Sequence, residues 1–407
     1  MKLFRSLVIL ITLLAGVASA QNGTSPLARY GIGELHEFTT VRGRGMGSVS
    51  AALPSMYDIS QSNPALWSQL KNIRLQADMN FELEDFTIGS TEFSNTSARI
   101  RSLHLSFPVS EDYGVSIVGG FSPLSRADYE IQGRAQEGAE DYTVTYIGTG
   151  GISSFRFGTS FKPLSSLYIG ASFRYYFGTI DQRWDIEFDN NAFYPTAERR
   201  STSHTGSGYT LGVYYDGLKP LTAAFAISPE VALNGSRNFT YEYSTGDSTA
   251  EGASGEVTIP TRMTASLGYK VDGNWLVGLQ YNMQDWQNAI IFDKKQNQLG
   301  NAYKIGGGVE WIPGEAPENE QDYWQHIAVR LGFSMAENYV QIDGEARSVS
   351  MISAGFGFPI IGNNRADLAL EYGWSGSDSS PAGSQSIIRI TLGVSAGEAW
   401  FKRNTNF

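Results

Sequence analysis

Apolar and polar residues alternate along most of the chain from residue 73 onward. In the stretch 101–107 the apolar side chains are Leu103, Leu105 and Phe107, with small or polar residues between them. Side chains of a β-strand point alternately to its two faces, so this pattern predicts strands with one apolar and one polar face. The alternating runs are about ten residues long, which is typical of tilted membrane-spanning strands and longer than most soluble strands.

The polar face of these strands carries full charges as well as small residues. Charged residues stand between large apolar ones at Arg156, Arg174, Glu310, Arg330, Asp367, Glu371 and Arg389. Such a face suits a wet lumen, and the opposite apolar face then points to lipid. The pattern favours a transmembrane barrel over a soluble β-sandwich, although both architectures alternate.

The connections between the runs alternate in length. Short connections lie at 108–112, 162–166, 216–219 and 271–274, and long polar ones at 84–97, 122–150, 179–205 and 229–260. Outer-membrane barrels place short periplasmic turns opposite long external loops, and continuing the count predicts an all-β antiparallel barrel of about fourteen strands. Two late connections, 313–324 and 359–366, are longer than expected for short periplasmic turns. The stretch 141–147 also alternates and is open to a second interpretation, an extra hairpin arm within the third loop.

Composition narrows the functional classes. The formal net charge of −11 would repel phosphate backbones, so nucleic acid is not expected as a partner. The chain has no cysteine, and its four histidines show neither a serine-motif pairing nor metal-ligand spacing. We therefore expect no catalytic residues, no cofactor and no metal site, and we do not expect the chain to be an enzyme.

The first twenty residues predict a secretory signal peptide. Lys2 and Arg5 form a positive start, Leu7–Leu14 an apolar stretch, and Ala18–Ala20 a small-residue cleavage site. The alternative, an anchor helix, would need an apolar run of about 20 residues. The sequence thus divides into a signal peptide at 1–20, an N-terminal segment at 21–70 and a barrel at 71–407, located in the outer membrane of a Gram-negative cell.

The segment 21–70 lacks sustained alternation. A barrel of about fourteen strands is too wide for its own side chains to fill, so we expect this segment to fold into the lumen as a plug, or hatch. The alternative is a disordered periplasmic tail, which the apolar content of residues 53–67 argues against.

Two motifs of the N-terminal segment carry a resemblance to a known family. They are Arg44-Gly45-Met46-Gly47 and Ser62-Asn63-Pro64-Ala65, and together they are similar to the hatch of the FadL family of outer-membrane transporters. Pro260-Thr261-Arg262 through Asp285-Trp286 resembles its late paired-strand signature, and Ala399–Arg403 is similar to the tails of divergent members. The resemblance implies a fourteen-stranded barrel with a lumenal plug that takes up apolar molecules and releases them sideways at a distorted third strand.

The site residues follow from this resemblance. Asn63, Pro64, Ala65 and Trp67 are expected to line the hatch and the ligand path, and Gly119 and Gly120 would permit a kink and a lateral opening in strand three. The sequence shows no matched set of residues for the fatty-acid pocket of the family.

Two functions remain open at this point. The first is passive diffusion of hydrophobic small molecules, such as long-chain fatty acids, through barrel and hatch. The second is a non-transporting adaptor or structural barrel of an outer-membrane assembly or secretion complex. The expected partners are membrane lipid with a hydrophobic small molecule in the first case, and another outer-membrane or periplasmic protein in the second.

Overall fold

A computed structural model describes residues 26–88, 91–137, 140–190, 193–243, 246–271, 273–314, 320–342, 344–376 and 383–398. The predicted signal peptide and the motif Ala399–Arg403 lie outside these residues. Fourteen antiparallel strands close into a barrel, which confirms the predicted fold class. Closure is made by the first and last strands, whose ladder runs from Ile73 opposite Glu398 to Thr87 opposite Ser384.

The strands are numbered here in chain order. They are β1 Ile73–Ile88, β2 Thr91–Ser110, β3 Val115–Pro123, β4 Glu140–Leu164, β5 Leu167–Phe188, β6 Thr196–Leu218, β7 Leu221–Ser228 continued by Val231–Tyr243, β8 Gly246–Ile259 continued by Arg262–Lys270, β9 Trp275–Asp285, β10 Asn301–Trp311, β11 Ala328–Ile342, β12 Glu345–Ile360, β13 Asn364–Gly376 and β14 Ser384–Glu398. Within the described residues no helix is long and apolar enough to cross a membrane.

The barrel exterior is apolar and its inner face is polar. Outward-facing side chains such as Leu105, Phe157 and Leu392 are exposed, whereas Ser106, Arg156 and Thr391 beside them are buried. Trp275 and Trp311 stack on each other, with ring centroids 5.7 Å apart, where β9 begins and β10 ends. Trp374 lies near the opposite rim on β13. These positions fit the two aromatic girdles expected of a barrel that spans a membrane.

The connections that the sequence predicts as long loops are largely β-strand in the structure. Their prediction as loops is therefore wrong. β1 and β2 are separated by two residues only, and β4 is 25 residues long. About ten residues suffice to span a membrane, so the excess projects outside it. The strand Tyr129–Glu137 pairs with β4 and forms the extra hairpin arm. Alternation fails as a signal in these projecting hairpins because both of their faces meet water.

The short turns fall together on one side, as predicted. The connection after β12 is tight, because Pro359 belongs to the strand and β13 begins at Asn364. The connection after β10 is longer and contains the 3-10 helix Glu320–His326.

The loss of stability caused by an arginine substitution on β14 should depend on the depth of the position in the bilayer. Leu392 faces outward near the middle of the strand, whereas Ser386 lies on the same face opposite Trp374. Leu392→Arg should reduce the free energy of unfolding in lipid vesicles by about 2–4 kcal/mol, and the matched control Ser386→Arg by at most about 1 kcal/mol. Equal losses would contradict the membrane position. Ser395 is unsuitable as a tolerant control, because its buried side chain contacts Tyr57.

Candidate functional site in the barrel lumen

The N-terminal segment 26–72 contacts inward-facing groups on widely separated strands. Gln61 Nε2 donates to Ser102 Oγ on β2 at 2.9 Å, Asn63 Nδ2 donates to the Val213 carbonyl on β6 at 3.0 Å, and Arg42 binds Glu310 on β10. Most described residues between 38 and 67 are buried. These contacts are the ones expected of a lumenal plug.

Glycines on the wall let the backbone of this segment approach the strands closely. A Cβ atom at Gly355 of β12 would lie 2.8 Å from the Cα of Gly45, and one at Gly308 of β10 would lie 2.5 Å from the carbonyl oxygen of Met46. Such contacts leave no room for a side chain. The Arg44–Gly47 motif therefore fits a surface that only glycine can provide.

The Asn63 motif forms a compact turn in the N-terminal segment. Asn63 is fully buried and caps the 3-10 helix Pro64–Gln69, accepting a hydrogen bond from the Ala65 amide at 3.0 Å. Its amide group also donates to the Ala51 carbonyl, and Trp67 Nε1 donates to the Ser60 carbonyl at 2.8 Å. The structure thus brings all four predicted hatch residues together in one hydrogen-bonded unit.

A chain of buried ion pairs joins this segment to the wall. It begins at the short helix α1, Val41–Gly45, where the guanidinium of Arg42 binds both carboxylate oxygens of Glu310 at 2.6 and 2.9 Å. Arg330 binds the same carboxylate at 2.7 Å and Asp367 at 2.6 Å. The four groups alternate in sign, so each buried charge has an opposite neighbour.

A second group of ion pairs surrounds Arg44 and Glu37. Arg44 Nη1 lies 2.9 Å from Glu371 on β13, and Lys304 Nζ on β10 lies 2.9 Å from Glu37. Burial by itself would raise the pKa of the Glu37 carboxyl. Lys304 and Arg44 outweigh burial and hold the pKa well below its usual range. Glu37 is therefore a carboxylate at neutral pH.

The outer half of the lumen on the side of β4–β8 is filled by an apolar cluster. The connection between β9 and β10 folds inward, and fully buried Trp286 packs on Tyr339 with ring centroids 4.6 Å apart. Residues 27–38 complete the packing. The members from the N-terminal segment, this connection and the wall are Leu27, Ile32, Phe38, Leu124, Ala127, Ile152, Tyr176, Ile180, Val231, Leu233, Val257, Ile259, Trp286, Ala289, Ile291, Leu299, Tyr339 and Val340.

A cavity of about 940 Å³ lies beside this cluster and has many charged residues in its lining. Charged groups come from the N-terminal segment and from opposite walls: Glu34, Glu37, Arg44, Glu82, Glu84, Arg99, Arg101, Arg126, Asp128, Arg262, Lys304, Glu337, Arg347 and Arg389. Carboxylate oxygens of Glu34, Glu82 and Glu84 lie within 4.8 Å of one another, a grouping that could hold a cation. Arg99 and Arg389 already pair with Glu34 and Glu82, which reduces their attraction for a metal ion.

The predicted lateral opening lies next to this cavity. Gly119 and Gly120 are paired on both sides, with Leu105 and His104 on β2 and with Phe157 and Arg156 on β4. The ladder between β2 and β3 ends one residue further, at Leu103 opposite Phe121, although β2 continues outward. Beyond that point the short strand Ser125–Arg126 pairs with Glu34–Leu35 of the N-terminal segment. Opening of the wall at Gly119 and Gly120 remains a prediction.

Solved barrels share this architecture. A Pseudomonas aeruginosa FadL homologue aligns with a TM-score of 0.61 at 12% identity over 90% of this chain and 100% of that one. The Pseudomonas putida toluene transporter TodX gives 0.57 at 14% over 91% and 100%, and the Ralstonia pickettii toluene transporter TbuX gives 0.57 at 12% over 89% and 99%. The fold therefore defines an outer-membrane β-barrel of the FadL type.

A comparison with protein families classifies the chain more specifically than the shared fold does. The BamG family model matches residues 2–406, and the chain belongs to that family. No curated protein matches the sequence.

Sequence reasoning missed two parts of the site. The charged inward positions were recognised, but not their pairing with Arg42 and Arg44, since pairing depends on how the N-terminal segment sits in the barrel. The inward fold of residues 286–299 was also missed. The apolar residues around Trp286 and Ile290 are the sequence signal for this inward fold.

Breaking the buried ion-pair chain should cost far more than breaking an exposed pair. Glu310→Gln leaves Arg42 and Arg330 facing a neutral amide and should lower the free energy of unfolding in urea by about 3–5 kcal/mol. The control Lys219→Gln removes an exposed ion pair with Asp216 and should change the free energy of unfolding by less than about 1 kcal/mol. Similar small effects would show that the chain of charges does not hold the segment in place.

The contribution of Glu37 should depend on pH in one direction. Its folded-state pKa lies below the ordinary value of 4.5, so the stabilisation is present above that pH and is lost as the pH falls below it. The stability difference between wild type and Glu37→Gln should be constant from about pH 7.5 to 5.5 and shrink below about pH 4.5. The control Met56→Ser, at an exposed position of the same segment and without an ionisable group, should show no such trend. A difference that grows in acid would contradict the assignment.

Proposed function

We propose that this barrel is a sealed, non-transporting adaptor of an outer-membrane assembly rather than a conduit for apolar molecules. The observation that carries the proposal is the filling of the lumen by the chain's own residues. The apolar cluster around Trp286 packs side chains of the N-terminal segment, the connection between β9 and β10 and the wall into the outer half of the lumen. An apolar solute could cross this part of the lumen only by displacing close-packed side chains.

The remaining space has the wrong chemistry for an apolar ligand. Ligand pockets for such molecules are lined mainly by hydrophobic and aromatic side chains with few polar groups. The cavity beside the cluster is instead lined by numerous arginine, lysine and carboxylate groups. Desolvating those groups against a hydrocarbon would cost free energy without forming new hydrogen bonds.

The surfaces outside the bilayer offer places for a protein partner. On the outer side, the projecting strands and turns expose Tyr194 by 74% and Phe193 and Tyr243 by 50% each. On the periplasmic side, the 3-10 helix after β10 exposes Trp324 by 77%. Exposed aromatic side chains of this kind are common anchors in protein interfaces.

Transport of a hydrophobic small molecule is the second candidate. The cavity of about 940 Å³ reaches the place where the ladder between β2 and β3 ends, so a route from the cavity to lipid is conceivable there. The solved barrels that share the fold include a monoaromatic hydrocarbon channel and two toluene transporters. Under this candidate Asn63, Pro64, Ala65 and Trp67 line the route.

Substitutions at the Asn63 turn separate the two candidates. Asn63→Ala with Pro64→Ala removes the cap and frees the backbone direction, while the wall keeps its own ladder. An adaptor should lose partner recovery in a pull-down from detergent-solubilised outer membrane, with uptake of a fluorescent fatty acid unchanged. The control Met56→Ser, at an exposed position of the same segment, should change neither.

The opposite result would support the conduit. Uptake by wild-type protein in liposomes above the level of empty liposomes, reduced by the Asn63 and Pro64 substitutions, would overturn the adaptor proposal. Co-purified acyl chains without a stoichiometric partner would have the same meaning. We also propose that residues 1–20 are removed on export, which the N-terminal sequence of the mature protein would test.

A further inference from the structure

A second cavity, of about 710 Å³, lies at the outer mouth of the barrel. Its walls come from the start of the N-terminal segment, from the projecting parts of β5–β8 and from the connection between β9 and β10. It is separate from the larger cavity, which lies beside the β2–β3 discontinuity. Neither the plug contacts nor the adaptor proposal assigns it a role.

Five basic side chains and one acidic side chain line this cavity. The basic ones are Arg29, Arg200, Arg237, Lys294 and Lys295, and the acidic one is Asp293. Asp293 is engaged elsewhere, because its carboxylate accepts a hydrogen bond from the Glu256 amide at 3.2 Å. The cavity therefore gathers positive charge in a chain whose formal net charge is −11.

The two central arginines are held in place without strong ion pairs. Arg237 lies over the ring of Phe292, 3.7 Å from the centroid, and Arg200 lies over Trp184 at 4.6 Å. Within the described residues, Arg237 forms no ion pair, and Arg200 has only Glu198 at 3.7 Å. The Nε–H groups of both arginines are buried without a hydrogen-bond partner.

This arrangement is costly unless an anion occupies it. Like charges facing one cavity repel each other, and orphaned guanidinium donors lose hydration without compensation. The aromatic rings fix the two guanidinium planes in position, and planar forks of this type match phosphate and carboxylate oxygens. Amide side chains of Gln182 and Gln298 add neutral donors at the same lining.

We propose that the outer cavity is a binding site for a multiply charged phosphate group. A group with two or more negative charges would match the excess of basic side chains better than a single carboxylate. Such phosphates occur both on cell-surface glycolipids and as free solutes, and the cavity opens on the side where either would be met. The proposal does not depend on whether the barrel acts as an adaptor or as a conduit.

Inorganic pyrophosphate is the first probe, measured by isothermal titration with the full-length mature barrel in detergent at low salt. Wild-type protein should bind pyrophosphate more tightly than orthophosphate, and its affinity should fall as ionic strength rises. Arg200→Gln with Arg237→Gln should weaken binding at least tenfold. Lys294→Gln with Lys295→Gln, at exposed positions where misfolding is not expected, should weaken it about threefold or more. Arg134→Gln, on the outer arm and outside the cavity, should have no effect.

A second arm distinguishes the sources. Nanodiscs containing lipid A with phosphate groups should compete with pyrophosphate if the natural ligand is a glycolipid, and nanodiscs containing dephosphorylated lipid A should not. If neither kind of nanodisc competes and pyrophosphate binding is retained, the site binds a free phosphate compound. Absence of pyrophosphate binding, or binding that both cavity double variants leave unchanged, would overturn the proposal.

Discussion

Closure of the backbone ladder is the constraint on which the rest of this structure depends. In lipid every amide and carbonyl must find a partner within the protein, and pairing of β1 with β14 leaves no exposed edge across the bilayer. Because the wall strands pair their backbone groups with one another, the side chains in the lumen need not provide hydrogen-bond partners for them. Inward positions can then carry glycine, arginine and glutamate, residues that would be unfavourable in a conventional strand core.

Inward-facing residues of the wall contact the N-terminal segment in two ways. Glycines at positions such as Gly308 and Gly355 admit its backbone, and alternating charges from Arg42 to Asp367 fix its orientation. Close backbone contact and buried ion pairs both require accurate geometry, so a loosely placed segment would satisfy neither. Together these contacts join the segment to the wall at several separate positions.

The sequence predicts the wall much better than the lumen. Alternation such as that around Leu103 and Leu105 is local and repeats in each strand, so the strand number and the direction of the turns follow from it. The extent of β4, β5 and β6 does not follow, because hairpins that project into water need no apolar face. The pairing of Arg42 with Glu310 joins residues 268 positions apart, and no pattern in the chain records such a contact.

The placement of residues 286–299 shows that a barrel wall of a shared fold can enclose a lumen with its own chemistry. A barrel of the FadL type provides a lumen, but the chemistry of that lumen depends on what folds into it. Here Trp286, Tyr339 and Ile32 belong to a packed core in the outer half of the lumen, while an excess of basic side chains lines the cavity at its mouth. A hydrocarbon channel needs the reverse distribution, with apolar surface open to the ligand and charges kept away from its path. The wall therefore explains where the protein resides, whereas the residues that fill and border the lumen decide what it can bind.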